Sequence, residues 1–263
     1  MRYEASGGSA TTLSRLRVVS YNIHKGVRGV GPRKRLEIHN LGRAIHGLQA
    51  DLVCLQEVRL FHAGDARRFD HTHLGWPDQG QADFLAPEGF ESVYRTNAVT
   101  RQGEHGNALL SRLPVGQVRH HDVSDHRLEQ RGLLHVQLQW DGRPLHVVVA
   151  HFGLIHGSRV RQARRLGDYL RREVPADEAV LVAGDFNDWS ERLDQHLAAA
   201  GLLRAQASAG AARVLTFPSR LPLFGLDRMY LRGLRCVALQ SPRGPAWARL
   251  SDHLPLVAEL ARA

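Results

Sequence analysis

With 263 residues, 43% of them hydrophobic and 23% charged, the chain has the composition of an ordinary globular domain, which excludes extensive disorder. Thirty-five Lys and Arg against 26 Asp and Glu leave a net charge of +9, a field that attracts polyanions: nucleic acid, anionic lipid headgroups or phosphorylated metabolites. Two cysteines, each inside an apolar run, exclude a disulfide framework and read as buried reduced thiols, and no apolar stretch reaches the roughly 18 residues of a membrane span.

Residues 1–14 are polar and small, lack a continuous apolar segment, and are expected to form a flexible leader to one domain over 15–263. A cytosolic monomer is the matching expectation. "RVVSYNI" (17–23) reads as a strand ending in polar residues, followed by a glycine-rich basic loop and a helix over 36–48 with apolar positions 38, 41, 45 and 48. "DLVCLQEV" (51–58) is a second buried strand. The polar stretch 59–81, which holds His62, His71 and His73, reads as a solvated loop or short helices. Strands are predicted at 90–94, 107–111, 131–140 and 144–150, the last two joined by the turn "DGRP". A basic helix over 158–172, with its arginines on a solvated face, leads into the strand "EAVLVAG". A helix over 190–199 and strands at 226–231, 234–239 and 254–260 complete the chain.

Several of these strands end in groups that bind metal or phosphate: Asn22, Glu57, His151, Asp185 with Asn187, and Asp252 with His253 before the last strand. Singly each has a plain structural use, Asn22 in a turn, Glu57 in solvent and Asp185 as a helix cap. Strand ends of one fold converge in space, however, and together they make a cleft. Its donors are mostly oxygen, which suits Mg²⁺, Mn²⁺ or Ca²⁺ better than zinc. A cation, buried carboxylates and two histidines are what phosphoester hydrolysis needs: charge neutralisation, an activated water and a proton donor. Asp188 is expected to cap the following helix. Lys34 and Arg33 of "GPRKR" are candidates for phosphate contact, and Trp76 and Phe217 for stacking or core packing.

The motifs "SYNIHKG", "DLVCLQEV", "GNALLSR", "VVVAHFG", "VLVAGDFND", "LDRMYLRG" and "SDHLPLVAEL" resemble, in order and spacing, those of the endonuclease/exonuclease/phosphatase superfamily. The resemblance spans residues 17–260. It implies a deoxyribonuclease I-like, four-layer α/β/β/α sandwich with two central mixed sheets flanked by helices. It also implies a Mg²⁺-dependent phosphodiesterase, with Mn²⁺ as an alternative metal. Carried over by motif, Glu57 would be the main metal ligand, completed by Asn22 and Asp252. Asp185 would hold the attacking water, Asn187 would orient it, and His253, supported by Asp227, would meet the phosphate. Asn22 and Asn107 would also contact substrate. His151 stands where abasic-site endonucleases typically carry tyrosine and deoxyribonuclease I carries histidine. The glutamate that supports this histidine in deoxyribonuclease I has no clear counterpart among Glu104, His105 and Asn107. DNA is the substrate expected from the charge, with a phospholipid or an inositol phosphate as the alternative. A catalytically silent phosphate-binding module on the same fold would have lost Glu57, Asp185 or His253, and all three are present.

Overall fold

The computed structural model describes residues 15–126, 129–210 and 213–263, so the expected leader lies outside the described residues. In chain order the strands begin β1 (Leu16–Asn22), β2 (Val27–Arg28), β3 (Arg35–Leu36), β4 (Leu52–His62), β5 (Glu91–Thr100), β6 (Gly103–Ser111) and β7 (Val115–Asp122). They continue as β8 (Gly132–Trp140), β9 (Arg143–His151), β10 (Ala179–Asp185), β11 (Leu203–Arg204), β12 (Asp227–Arg232), β13 (Leu234–Gln240) and β14 (Leu256–Arg262). The helices are α1 (Ile38–Gly47), α2 (Ala63–Phe69), α3 (Gln81–Leu85), α4 (His156–Glu173), α5 (Asp194–Ala198), α6 (Ala205–Ser208) and α7 (Trp247–Leu250).

The strands form two six-stranded sheets, ordered β13-β14-β1-β4-β6-β5 and β11-β12-β10-β9-β8-β7. Alternation along the central strands explains the layering, because successive side chains of a strand face opposite ways. Leu16 and Val18 of β1 and Leu52 and Cys54 of β4 meet Val147, Val149, Leu181 and Ala183 of the other sheet in the inner core. The intervening Val19, Tyr21, Val53 and Leu55 pack outward under α1 and α3. On the far side, Val148, Ala150, Val180 and Val182 pack under α4 and α5. Three apolar seams therefore separate four layers, the α/β/β/α sandwich expected.

Parallel pairing of β1 with β4 and of β9 with β10 sends all four C-terminal ends to one end of the molecule. Gly184 permits the second pairing, since a Cβ there would lie 1.8 Å from the Ala150 carbonyl oxygen. No other residue lets β10 run this close to β9.

Three expectations need correction. The segment 59–81 is not loop at its start: β4 runs to His62, whose ring nitrogen then accepts the Asp65 N–H and caps α2. The helix expected over 190–199 shortens to Asp194–Ala198, because Asp188 caps no helix and instead anchors the loop, accepting from Leu193 N at 3.0 Å and from Arg228. β7 was absent from the predicted elements. Its half-polar sequence "VGQVRHHD" lies at a sheet edge and lacks an apolar run.

Beneath α4, Tyr169, His135, His146 and Glu178 form one hydrogen-bonded chain, with His135 Nδ1 2.9 Å from the Tyr169 hydroxyl and His135 Nε2 2.8 Å from His146 Nδ1. Burial, with help from His146 and Arg119, lowers the His135 pKa from 6.5 to about 4. The unfolded chain therefore takes up this proton before the folded one does. The resulting stabilisation is complete above pH 6.5 and is lost as pH falls towards 4, by about 3 kcal/mol. Urea unfolding at pH 7 and pH 4.5 should show this loss in the native chain and a shallower one in His135→Gln; parallel losses would refute the assignment.

Candidate active site

The strand ends bring Asn22, Glu57, His151, Asp185, Asp227 and His253 into one buried cluster. Asp185 is its centre. Its neighbours in register are His151 on β9 and Asp227 on β12, so the pairing itself delivers a histidine and a second carboxylate to its sides. Asn22 Nδ2 donates to Asp185 Oδ2 at 3.1 Å and reaches Glu57 Oε1 at 3.4 Å, tying the two sheets together across the cleft. The Asn187 N–H donates to Asp185 Oδ1 at 2.9 Å. His253 Nδ1 lies 2.8 Å from Asp227 Oδ2, which turns Nε2 towards Asp185 Oδ2 at 3.6 Å, while His151 Nε2 approaches the same oxygen at 3.7 Å.

Glu57 enters the cleft through a backbone irregularity. The pairing of β4 with β6 slips between Leu55 and Val58, and Glu57 takes a left-handed φ of 56°. Such a bulge re-aims one side chain at a cost of about 1–3 kcal/mol, a strain characteristic of functional positions. Lys25, itself at φ 61° in the loop after β1, places its ammonium 3.2 Å from Glu57 Oε2.

Electrostatics separate the titratable groups. Burial opposes the charge of Glu57, but the Lys25 ammonium, by charge and hydrogen bond, outweighs it and holds the carboxyl well below the usual range. Burial likewise opposes charge on His253, and the carboxylates of Asp227 and Asp185 reverse the outcome and raise it. Asp185 is pushed up by burial and by Asp227 against the pull of His253. Burial and Arg131 drive His151 down, so it is neutral. The cluster thus holds an ionised glutamate, a neutral histidine, and a buried Asp185–His253 pair in which the proton resides on the histidine.

Other expected site residues are placed differently. Asp252 adjoins the cluster, but its oxygens are engaged by Ser251 Oγ at 3.3 Å and His24 Nδ1 at 3.3 Å. Asn107 donates both amide hydrogens to main-chain carbonyls, Gly132 O at 3.0 Å and Val149 O at 3.1 Å, so it pins one sheet to the other and keeps only an acceptor oxygen. That oxygen cannot donate to a phosphate. Asn187 Nδ2 is held by the Phe152 carbonyl at 2.9 Å, leaving Asn187 to act on Asp185 through its main chain. Lys34 is tied to Asp65, and Arg33 is exposed. Glu104 accepts from Thr96 at 2.8 Å, which removes it as a support for His151; the nearest carboxylate to that ring is Asp185. Trp76 lies under the Arg59 guanidinium rather than in the cleft, whereas the Phe217 ring touches His253 at 4.9 Å.

Lys25 and Ser251 were missed as site residues. Ser251 Oγ donates to the Asn22 carbonyl at 2.7 Å and fixes the end of β1. Lys25 was legible inside "SYNIHKG", but a lysine in a basic loop carries no sign of which carboxylate it will meet. Among the described residues, no group of three or more His, Cys, Asp or Glu is arranged to hold a metal ion. Glu57 and Asn22 meet through the Asn22 Nδ2–H, 3.4 Å from Glu57 Oε1, and Glu57 Oε2 is paired with the Lys25 ammonium at 3.2 Å, so a cation held here would stand in place of that ammonium and meet the amide through its oxygen. One carboxylate with an amide suits a hard cation that keeps most of its positions for water and phosphate oxygens.

Residues 19–253 match the model of the Endonuclease/Exonuclease/phosphatase family. The chain belongs to that family. Its members act on phosphoester bonds, and the chain is a phosphoester hydrolase. It is similar to an uncharacterised Escherichia coli protein, YbhP, at 36% identity over 248 residues, 93% of this chain and 95% of the relative. An endonuclease/exonuclease/phosphatase protein from Beutenbergia cavernae superposes with a TM-score of 0.73 at 19% identity, over 95% of this chain and 72% of that one. D. rerio TDP2 complexed with a single-strand DNA product superposes with a TM-score of 0.64 at 16% identity, over 94% and 99%. Both solved structures share the family's two-sheet fold with this chain.

Proposed function

We propose that this chain is a divalent-cation-dependent phosphodiesterase, using Mg²⁺ with Mn²⁺ as the alternative. The observation that carries the reading is the convergence of Glu57, Asp185 and His253 at one end of two sheets. Glu57 and Asn22 would hold the cation, which supplies positive charge to a phosphoryl oxygen. Asp185, fixed by Asn22 and the Asn187 N–H, holds the attacking water by its Oδ2 oxygen. His253, kept protonated by Asp227, offers Nε2–H to the developing charge on the phosphoryl group. Neutral His151 lies on the other side of Asp185, with Nε2 3.7 Å from its Oδ2, where it can relay to the leaving oxygen the proton that Asp185 takes from the water. Water attacks phosphorus in line, and the P–O bond opposite it breaks.

For the substrate, the charge of +9 and the TDP2 complex support DNA. A second reading, a phosphodiester carried on a lipid, is favoured by the state of the cations beside the cleft. Duplex binding needs cationic side chains available to successive phosphates. Here Lys25 is paired with Glu57, Lys34 with Asp65, Arg131 with Glu129 at 3.2 Å, and Arg228 with Asp188 at 2.8 Å. Cleavage assays with DNA, RNA, phospholipid and inositol phosphate, with Mg²⁺ and with EDTA, test both readings. Turnover is expected with Mg²⁺ alone and is expected to drop at least about a hundredfold in Glu57→Ala. Turnover that persists in EDTA would remove the metal from the mechanism.

A further inference from the structure

Among the described residues, eleven large hydrophobic side chains are exposed, and nine of them lie on segments at the catalytic end of the sheets; a tenth, Leu74, is in the loop after α2. Val30 lies in the turn between β2 and β3, Leu60 and Phe61 end β4 beyond Glu57, and Val99 is at the end of β5. Leu154 and Ile155 follow His151, and Trp189 follows Asn187. Leu221 and Leu223, 67% and 54% exposed, cap a short hairpin whose base carries Phe217 against His253. The eleventh, Leu203, is at the opposite end. Scattered surface apolar residues need no cause, but concentration at one end does. Exposed Arg33, Arg101 and Arg220 lie on the same segments.

We infer that the catalytic end docks on an anionic lipid bilayer, with the apolar crown in the headgroup region and the arginines against acidic lipids. An apolar surface bordered by basic side chains is the combination that holds a protein at a bilayer surface without spanning it. No helix among the described residues is long and apolar enough to cross a membrane, which agrees with attachment through loops. The crown surrounds the cleft, so docking would bring Glu57, Asp185 and His253 onto the plane of the lipid phosphates. The inference goes beyond the phosphodiesterase reading, for it concerns where the cleft works, and between the two substrate classes it selects the lipid.

Cosedimentation tests it, with the full chain, EDTA to prevent turnover, and vesicles of phosphatidylcholine alone or in equal parts with phosphatidylglycerol. Binding is expected to the mixed vesicles and to persist in part at high salt. It should weaken roughly tenfold for each of Leu221→Ser and Leu223→Ser. The separate pair Leu154→Ser and Ile155→Ser should act likewise, and Leu203→Ser should change nothing. The inference is overturned if the vesicles do not bind, if binding vanishes with salt, or if Leu203→Ser weakens it as much as the crown variants. It is equally overturned if the crown variants weaken duplex DNA binding while vesicles stay unbound. Vesicle binding in EDTA, with no phosphodiester turned over when Mg²⁺ is supplied in a parallel assay, would reject the phosphodiesterase reading and leave the docking in place.

Discussion

Replacing Asp185 by asparagine is expected to lower kcat by at least about a hundredfold while leaving the fold intact. The substitution keeps the shape of the side chain and one carbonyl-type oxygen, so the Asn187 N–H retains an acceptor. What disappears is the negative charge that faces His253 Nε2 at 3.6 Å and His151 Nε2 at 3.7 Å. Without it the cluster loses both the acceptor for the water proton and the partner that helps keep His253 charged. Steady-state kinetics and circular dichroism on the purified variant decide the matter. An active, folded Asp185→Asn protein would transfer the role of base to another group.

The second large effect concerns stability. Asp188→Ala is expected to cost about 3–5 kcal/mol, because it strands the guanidinium of Arg228 in the interior. Arg228 is 1% exposed and donates to Asp188 Oδ2 and to the Asp188 carbonyl, each at 2.8 Å. The remaining carboxylates, Asp194 at 3.5 Å and Glu191 at 3.8 Å, belong to more exposed side chains and compensate only in part. Removing the charge together with its partner, in Asp188→Leu with Arg228→Met, should recover most of the loss. Urea unfolding of the single and double variants measures this. A single-variant cost below about 1 kcal/mol would show that the pair is dispensable.

These two aspartates, three residues apart in "GDFND", illustrate what sequence makes legible. Strand ends were readable because β-branched runs stop abruptly at Asn22, Asp185 and the residues around Glu57, and the layers follow from the alternation within those runs. Charge was not. Asp188 looks like a helix cap by position, yet its partner is 40 residues away. Arg159 looks like one more arginine on a basic helix, yet it is 3% exposed and bonded to the carbonyls of Gly153 and Leu154. A buried, satisfied charge and a solvated one are written with the same letter, and only tertiary contacts tell them apart. The same limit explains why Arg33 and Lys34 were selected over Lys25, and why Asn107, a sheet-to-sheet pin, was expected to meet substrate.

The bulge that carries Glu57 has a consequence for how such a protein changes over time. A left-handed φ of 56° in the middle of β4 is a backbone state that glycine adopts freely and glutamate does not. Folding alone would thus favour exchange of the carboxylate for a hydrogen atom at this one position. Stability and activity pull the same codon in opposite directions, so a copy of the gene released from its enzymatic duty is expected to surrender this residue early and fold the better for it.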